Sequence, residues 1–408
     1  MSLRSFLSAF AVFASCPANL IGQSVTAGPL TYQQALDLAL ARNLGLIAAQ
    51  RQLAIRQAGV RIAGQRPNPD LTFEAGRDAP HEIFTFGLPL ELGAKRGRRL
   101  DVAREELSLA DIDVRTEQRT VRRNLRVAFH GLLAADDRVR LAESVVDIAR
   151  RVRQAAQARF EEGAAPRLDV LQADLGVTRA EADLELARSA RTVTQADVNA
   201  VLDQPPGQAV LVTGDLAQGP ATPSFEVAIR LASESNIDLL TLERQLAIER
   251  RRTSLLRAER TPTPVFSVGA VLDAPGEFEA GLRGGISVTL PLFTRNQGEI
   301  AQALATLDQL GARREAVRRS VESAVFGGLA RMDAERRQVD LFRTTLVPTA
   351  TSLEDLAEES YRLGRSSVLA VLDAQRTLRD VRREYLQALQ NFQTAVADIE
   401  EILGAPIQ

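Results

Sequence analysis

The sequence predicts a mainly α protein with a small β part, built from two copies of one unit and assembled as a homo-oligomer. Three observations lead to this fold class. The chain repeats its own motifs in order, long proline-free segments are rich in Ala, Leu, Glu and Arg, and short segments between them alternate apolar and polar residues. The chain has 408 residues and a formal net charge of −2. This balanced charge gives no indication of nucleic-acid binding, so no nucleic-acid partner is expected.

The duplication is clearest at an identical pentapeptide, RQLAI, found at 51–55 and again at 244–248. Ordered matches continue along the chain to Gly163 and Gly364, each of which interrupts a helical pattern. Two copies of this length indicate a duplicated fold unit rather than a solenoid of short repeats. The predicted boundaries are 28–204 for the first repeat, 205–224 for a linker rich in Pro, Gly and Gln, and 225–408 for the second repeat.

Each repeat has the same order of elements: two modest helices, a β-hairpin, a long helix and a shorter helix. Alternation indicates the hairpins, for example at Leu71 and Phe73 in the first repeat and at Phe266 and Val268 in the second. Prolines end the helices before each hairpin, and a glycine separates the long helix from the shorter one. The predicted hairpins, long helices and shorter helices lie at about 70–91, 95–162 and 167–202 in the first repeat, and at about 264–292, 297–363 and 367–403 in the second.

The long helices and the small number of strands together predict an oligomer. A helix over 95–162 is about 100 Å long, more than a globule of this size can bury. Four strands are also too few to close a barrel, which needs about eight or more. Because the strands have apolar faces, the simplest solution is an assembly in which several chains each contribute four strands and a set of long helices.

The N-terminus has the pattern of a signal peptide covering 1–27, with Arg4 followed by a short apolar core at 6–14. That core is shorter than the ~20 residues that a membrane-spanning helix needs. Its cleavage position stays open. Residues 13–16 resemble a bacterial lipobox with Phe in place of the usual Leu, so Cys16 is either a lipidation site or a cysteine discarded with the signal.

Two junction sequences carry a family resemblance: LPLELGAKRG at 88–97 and LPLFTRNQGEI at 290–300. With the duplicated pattern of helices and hairpins, they resemble the TolC-like outer-membrane factor family. Within that family they are similar to the CzcC-type branch, which serves heavy-metal efflux pumps of the resistance-nodulation-division class. The first junction departs from the pattern at Ala94, where glycine is common. The same residue types also suit any strand-to-helix junction.

The resemblance implies a fold, a location and partners. It implies a homotrimer in the outer membrane of a Gram-negative bacterium, surrounded by outer-membrane lipid, in which twelve strands form one transmembrane β-barrel continued by a long periplasmic α-barrel. The expected function is the passive channel of a tripartite pump that exports heavy-metal cations, with a periplasmic adaptor (membrane fusion) protein and an inner-membrane transporter. Drug or solute efflux, or type I secretion, is the alternative within this fold. A soluble coiled-coil scaffold is the alternative of another class.

The resemblance also implies a periplasmic gate at the glycine breaks. Matched residue by residue, the gate positions fall on Asp169, Tyr361 and Asp373. A carboxylate repeated by threefold symmetry makes a ring that attracts cations and excludes anions. Ser366 and Ala370 stand where family members with a charged network have Arg and Asp, so this chain departs from that network. The alternatives are an exposed helix residue or cap for each aspartate and a packed aromatic for Tyr361.

The adaptor is expected to dock on the two turns. The alternative is that these turns have a purely structural role. The residues named for docking are Phe160, Gly163, Ala164, Leu363, Gly364 and Arg365.

No catalytic constellation stands out, so we expect no enzyme, cofactor or metal site. His81 and His130 have no partner at metal-ligand spacing and are interpreted as ordinary residues. The basic run KRGRR at 95–99 follows a predicted strand, which favours a charged collar at the boundary between membrane and periplasm over a nucleic-acid patch.

Overall fold

The structure of the protein is a computed structural model that describes residues 28–78, 81–274 and 278–407. The predicted signal peptide and Cys16 lie outside the described residues. In the first repeat the elements are α1 (Tyr32–Arg42), α2 (Leu44–Ala63), β1 (Asp70–Ala75), β2 (Glu82–Pro89), α3 (Lys95–Glu161) and α4 (Arg167–Val201). In the second they are α5 (Phe225–Ser235), α6 (Ile237–Ala258), β3 (Val265–Ala274), β4 (Phe278–Ser287), α7 (Gln297–Leu341), α8 (Val347–Arg362) and α9 (Val368–Leu403).

The second long helix differs from its prediction by a π-helical turn at Phe342–Leu346, which joins α7 to α8. Pro348 lies at the start of α8 and has no backbone N–H to donate. A proline ring also collides with the carbonyl four residues earlier in a regular α-helix, so the widened turn provides the space it needs. The second hairpin ends earlier than predicted, since β4 stops at Ser287 and residues 288–292 have no strand partner among the described residues.

Each repeat closes on itself through an asparagine at the break between its two short helices. The Asn43 side chain accepts a hydrogen bond from the Leu46 N–H at 3.1 Å and donates one to the Val201 carbonyl at 3.5 Å. In the second repeat, the Asn236 side chain accepts from Leu239 N–H at 3.1 Å and donates to the Ile402 carbonyl at 2.8 Å. The same residue type therefore caps α2 or α6 and ties it to the end of the last helix in its own repeat.

The main hydrophobic core lies where α3 and α7 each pack against α9. Its members are mostly alanine and branched aliphatic residues, which let the helix backbones approach closely. Full burial of each large apolar side chain contributes about 1.5–3 kcal/mol. Large side chains of this core that are almost fully buried include Leu125, Phe129, Leu132, Met332, Phe392, Ile399 and Leu403.

His130 lies in this core, where its side chain packs against other core residues. Its ring packs against Tyr32 and Phe129, with centroids 5.6 Å away in both cases. Its Nδ1 lies 2.8 Å from the Arg126 carbonyl, to which the neutral ring donates. Burial lowers the pKa of His130 from 6.5 to about 4. The imidazole is therefore neutral throughout the physiological range.

His130 makes stability depend on pH in a direction that follows from this shift. Between pH 6.5 and about 4 the unfolded chain protonates this residue and the folded chain does not, so stability falls as the pH falls. The expected loss is up to about 3 kcal/mol. In His130→Phe, which retains the ring packing, the decrease in unfolding temperature from pH 7 to pH 4.5 becomes smaller than in the parent. Equal decreases in the two proteins contradict the assignment.

The four strands form one antiparallel sheet in the order β1-β2-β3-β4. The two hairpins are joined across the repeats by β2 and β3, which pair Phe86 with Val268 and Phe84 with Ala270. Within the chain, the outer edges of β1 and β4 have no strand partner among the described residues. None of the helices the structure describes combines the length and the low polarity needed to cross a bilayer.

Candidate functional site

The sheet has one apolar face and one polar face. Strand register places every second residue on a common face, and that alternation is continuous across all four strands. Phe73 and Phe84 pair on the apolar face with ring centroids 4.7 Å apart. The apolar face carries Leu71, Phe73, Phe84, Phe86, Leu88, Phe266, Val268, Ala270, Leu282 and Ile286. The polar face carries Asp70, Thr72, Glu74, Thr85, Ser267, Arg283 and Ser287, and also the apolar Ile83, Val265 and Val271.

This division matches a transmembrane barrel wall, in which apolar side chains face lipid and polar side chains face the lumen. The apolar side chains are substantially exposed in the single chain: Leu71 is 74% exposed and Leu282 is 91% exposed. A soluble protein rarely leaves an apolar surface of this extent uncovered. The open edges of β1 and β4 provide unpaired backbone groups that further strands can complete.

At the opposite end of the molecule, both repeats turn with the same backbone geometry. We call the two turns, with the adjoining helix ends, the tip, formed by residues 159–173 and 360–373. Gly163 and Gly364 both have φ of +71°, a left-handed conformation that favours glycine. Ala164 N–H donates to the Arg159 carbonyl, and Arg365 N–H donates to the Ser360 carbonyl, at 2.8 Å each. These are the bonds of a Schellman C-cap, so the two glycine breaks are confirmed as matching helix ends.

Tyr361 lies inside the tip and not on its surface. Only 3% of this residue is exposed, and it packs with Val152, Ala156 and Val368. The Arg159 guanidinium lies 4.6 Å from the centre of the Tyr361 ring and donates to the Tyr361 carbonyl at 3.2 Å. The Tyr361 hydroxyl is buried and has no hydrogen-bond partner in the described chain. In this conformation Tyr361 joins the second turn to the first.

The two aspartates named from the sequence differ in setting. Asp169 is the third residue of α4 and is half-buried, so its carboxylate lies at the positive end of the helix dipole. Asp373 is exposed in the second turn of α9. Neither carboxylate has an ion-pair or hydrogen-bond partner among the residues the structure describes. The matching position to Asp169 is Ala370, whose N–H is capped by Ser367.

The six residues named for docking are all exposed. Phe160 is 40% exposed and Leu363 is 56% exposed, which is high for large apolar side chains. The glycines, Ala164 and Arg365 lie beside them on the outside of the two turns. Each turn therefore presents an apolar side chain next to accessible backbone.

Sequence reasoning missed Arg159 as the residue that ties the two turns together. The signal was available, because the matching position in the second repeat is Ser360 and an unmatched arginine precedes the aromatic Phe160. It also missed the ion pairs between α3 and α4, where Arg150 meets Glu181 at 2.7 Å and Arg153 meets Asp174. These exposed pairs contribute little individually, but they hold the hairpin in register along its length.

Both repeats match one family model, described as outer membrane efflux protein, over residues 35–203 and 228–405. The chain belongs to the outer membrane efflux protein family. This membership confirms the predicted family and the outer-membrane location with a periplasmic helical part. The alternative of a soluble coiled-coil scaffold is wrong. The family is one of passive channels.

Curated relatives of this efflux protein include metal-resistance proteins. It is 29% identical over 385 residues to the cobalt-zinc-cadmium resistance protein CzcC of Cupriavidus metallidurans, covering 93% of this chain and 91% of that one. It is 26% identical to the nickel-cobalt-cadmium resistance protein NccC of Alcaligenes xylosoxydans xylosoxydans, covering 75% and 69%. It is also 23% identical to the outer membrane protein TolC of Vibrio cholerae, covering 88% and 86%.

Solved structures confirm the fold. A membrane protein from Pseudomonas aeruginosa superposes with a TM-score of 0.76 at 19% identity, covering 92% of this chain and 90% of that one. CusC superposes with a TM-score of 0.75 at 16% identity, covering 92% of both chains. The predicted mainly α fold with a small sheet is therefore confirmed. Within the described ranges, no group of three or more His, Cys, Asp and Glu side chains is placed to hold a metal ion.

Proposed function

We propose that this outer membrane efflux protein is the homotrimeric exit channel of a tripartite pump that exports heavy-metal cations. The chain itself does no chemistry and holds no resident metal or cofactor. A periplasmic adaptor docks on the channel, and an inner-membrane transporter of the resistance-nodulation-division class supplies the energy.

The observation that best supports a channel is the four-stranded sheet, which has one apolar face, one polar face and two open edges. One chain cannot close such a sheet, because a closed barrel needs about eight or more strands. Three chains supply twelve strands, with β4 of one chain pairing with β1 of the next. The apolar faces then meet lipid and the polar faces line the lumen.

The metal substrate is supported by the relatives and not by a metal site. CzcC, a cobalt-zinc-cadmium resistance protein, aligns with nearly the full length of both chains, and NccC is a nickel-cobalt-cadmium resistance protein. A passive conduit needs no coordinating cluster, since a cation that is held tightly does not leave.

Growth of a deletion strain tests this substrate class. We expect loss of the gene to lower the tolerated concentration of at least one of cobalt, zinc, cadmium and nickel, and the wild-type gene to restore it. The control is a panel of drugs and detergents in the same strains. Unchanged metal tolerance together with increased drug sensitivity contradicts the metal assignment and supports drug or solute efflux through the same fold.

The tip is proposed as the cation-selective constriction, with Asp169 and Asp373 contributing unequally. The exposed, unpaired Asp373 carboxylate is expected to have the larger effect, because the Asp169 charge is partly balanced by the N-terminus of α4. In single-channel recordings, Asp373→Ala lowers cation-over-anion selectivity more than Asp169→Ala.

R153A/D174A is the matched control, since it removes an ion pair that carries no net charge. It alters the same end of the molecule and is expected to leave selectivity unchanged. If neither Asp169→Ala nor Asp373→Ala changes the selectivity, the proposal is contradicted and the tip has only a structural role.

A further inference from the structure

The strand-to-helix junction carries much more positive charge than the chain as a whole. We define the junction as residues 61–70, 89–99, 257–265 and 287–299, which enclose the same end of all four strands. It contains nine lysine or arginine residues and four carboxylates, whereas the whole chain has a net charge of −2. In sequence, the segments between the paired strands, 75–82 and 272–279, contain five acidic residues and one arginine. Basic residues are therefore concentrated in the junction sequences.

Several basic residues of the junction hold its loops together. Lys95 Nζ donates to the Thr263 hydroxyl at 2.6 Å, and Arg99 forms a two-pronged ion pair with Glu91. The Arg99 hydrogen bond lowers the pKa of Glu91, so this pair is fully ionised. Arg260 donates to the Arg295 carbonyl at 2.9 Å, and Arg295 donates to the Pro291 carbonyl at 3.0 Å. These interactions explain part of the positive charge, and the charged collar at the boundary between membrane and periplasm stays a prediction.

Three arginines are not explained in this way. Arg61, Arg66 and Arg257 are exposed, and none of their side chains has a hydrogen-bond or ion-pair partner among the described residues. Arg61 and Arg257 occupy the last turns of α2 and α6, where a helix dipole favours a cation. Arg66 lies outside a helix, so the dipole does not account for all three.

The apolar face of the sheet continues directly into this junction. Leu90 is 41% exposed and Leu92 is 48% exposed, and in the second repeat Leu292 and Phe293 are 64% and 91% exposed. Phe293 stands where the first repeat has Glu91, and the position that matches Arg99 is Ala301. The second repeat has thus exchanged an ion pair for a protruding aromatic side chain. A band that holds both exposed apolar side chains and basic residues is typical of the boundary between hydrocarbon and lipid headgroups.

We propose that Arg61, Arg66 and Arg257 bind the phosphates of anionic phospholipid headgroups in the membrane leaflet that surrounds the junction. Guanidinium groups match phosphate geometry, and each basic residue close to an anionic leaflet strengthens binding about fivefold. The proposal rests on the outer-membrane location of the sheet and is independent of the metal substrate.

Native mass spectrometry of the detergent-purified full chain tests the proposal with added phosphatidylglycerol and phosphatidylethanolamine as probes. We expect R61Q/R66Q/R257Q to bind phosphatidylglycerol at least about fivefold more weakly than the parent, with little change for phosphatidylethanolamine. R61K/R66K/R257K retains the charge and is expected to stay within about twofold of the parent. The matched control R51Q/R313Q/R319Q removes three exposed charges from α2 and α7 and is expected to leave binding unchanged.

Three results overturn the proposal. Equal weakening by the control triple means that overall charge and not this surface governs binding. Displacement of the lipid by millimolar inorganic phosphate identifies a free-anion site. Loss of the oligomer in the glutamine triple, with lipid binding unchanged per folded chain, identifies the surface as a contact between copies of the chain.

Discussion

Phe86→Arg is expected to prevent stable assembly in the outer membrane. Phe86 lies on the apolar face of β2, pairs with Leu71 and Val268, and is 42% exposed in the single chain. An arginine facing lipid near the middle of the bilayer costs about 2–4 kcal/mol, and a trimer incurs this cost three times. The expected result is loss of the heat-resistant oligomer from the outer-membrane fraction, together with loss of metal tolerance in a complemented deletion strain.

Thr85→Arg is the matched control, because it places the same side chain one residue earlier, on the polar face. A lumen-facing arginine stays solvated, so the oligomer is expected to persist and only the ion selectivity to change. Equal loss of assembly in both variants contradicts the assignment of the two faces.

Gly404→Ala is expected to destabilise the second repeat strongly. Gly404 ends α9 with φ of +76°, and a Cβ atom there would lie 2.1 Å from the Ser235 carbonyl oxygen. Left-handed strain and a clash with backbone add to about 3 kcal/mol or more. Because Ser235 precedes the capping Asn236, the variant also separates α9 from the break between α5 and α6. The measurement is the unfolding temperature, supported by proteolysis at the end of α9.

Gly311→Ala provides the comparison for that experiment. Gly311 lies inside α7, and a Cβ atom there meets nothing within 4 Å. Alanine favours a helix interior over glycine by about 1 kcal/mol, so this variant is expected to unfold at the same or a higher temperature. The first repeat has Asp203 at the position that matches Gly404, with φ of +54°, which shows that the clash and not the dihedral angle alone restricts position 404.

The sequence predicted those features that depend on local chemistry. Alternation at Leu71, Phe73, Phe266 and Val268 predicted which side chains share a face, because side-chain direction in a strand has period two. Gly163 and Gly364 predicted two matching turns, because a helix end in the left-handed conformation favours glycine.

The contacts between residues far apart in sequence could not be predicted from these local patterns. Alternation does not specify which residue of β3 lies opposite Phe86, since any shift by two residues keeps the faces. The burial of Tyr361 depends on Arg159, which is 202 residues away in sequence, and no local period reports that contact. The pairing of Asn43 with Val201 and of Asn236 with Ile402 was missed for the same reason.

The two matching turns affect the stoichiometry of any complex formed at the tip. In a trimer, a partner that recognises only the shared Schellman backbone meets six equivalent sites, arranged with approximate sixfold symmetry. A partner that also recognises Arg159 meets three, because Ser360 replaces the arginine in the second repeat. The ratio of partner to channel in the assembled pump therefore reports which of the two chemistries the partner recognises.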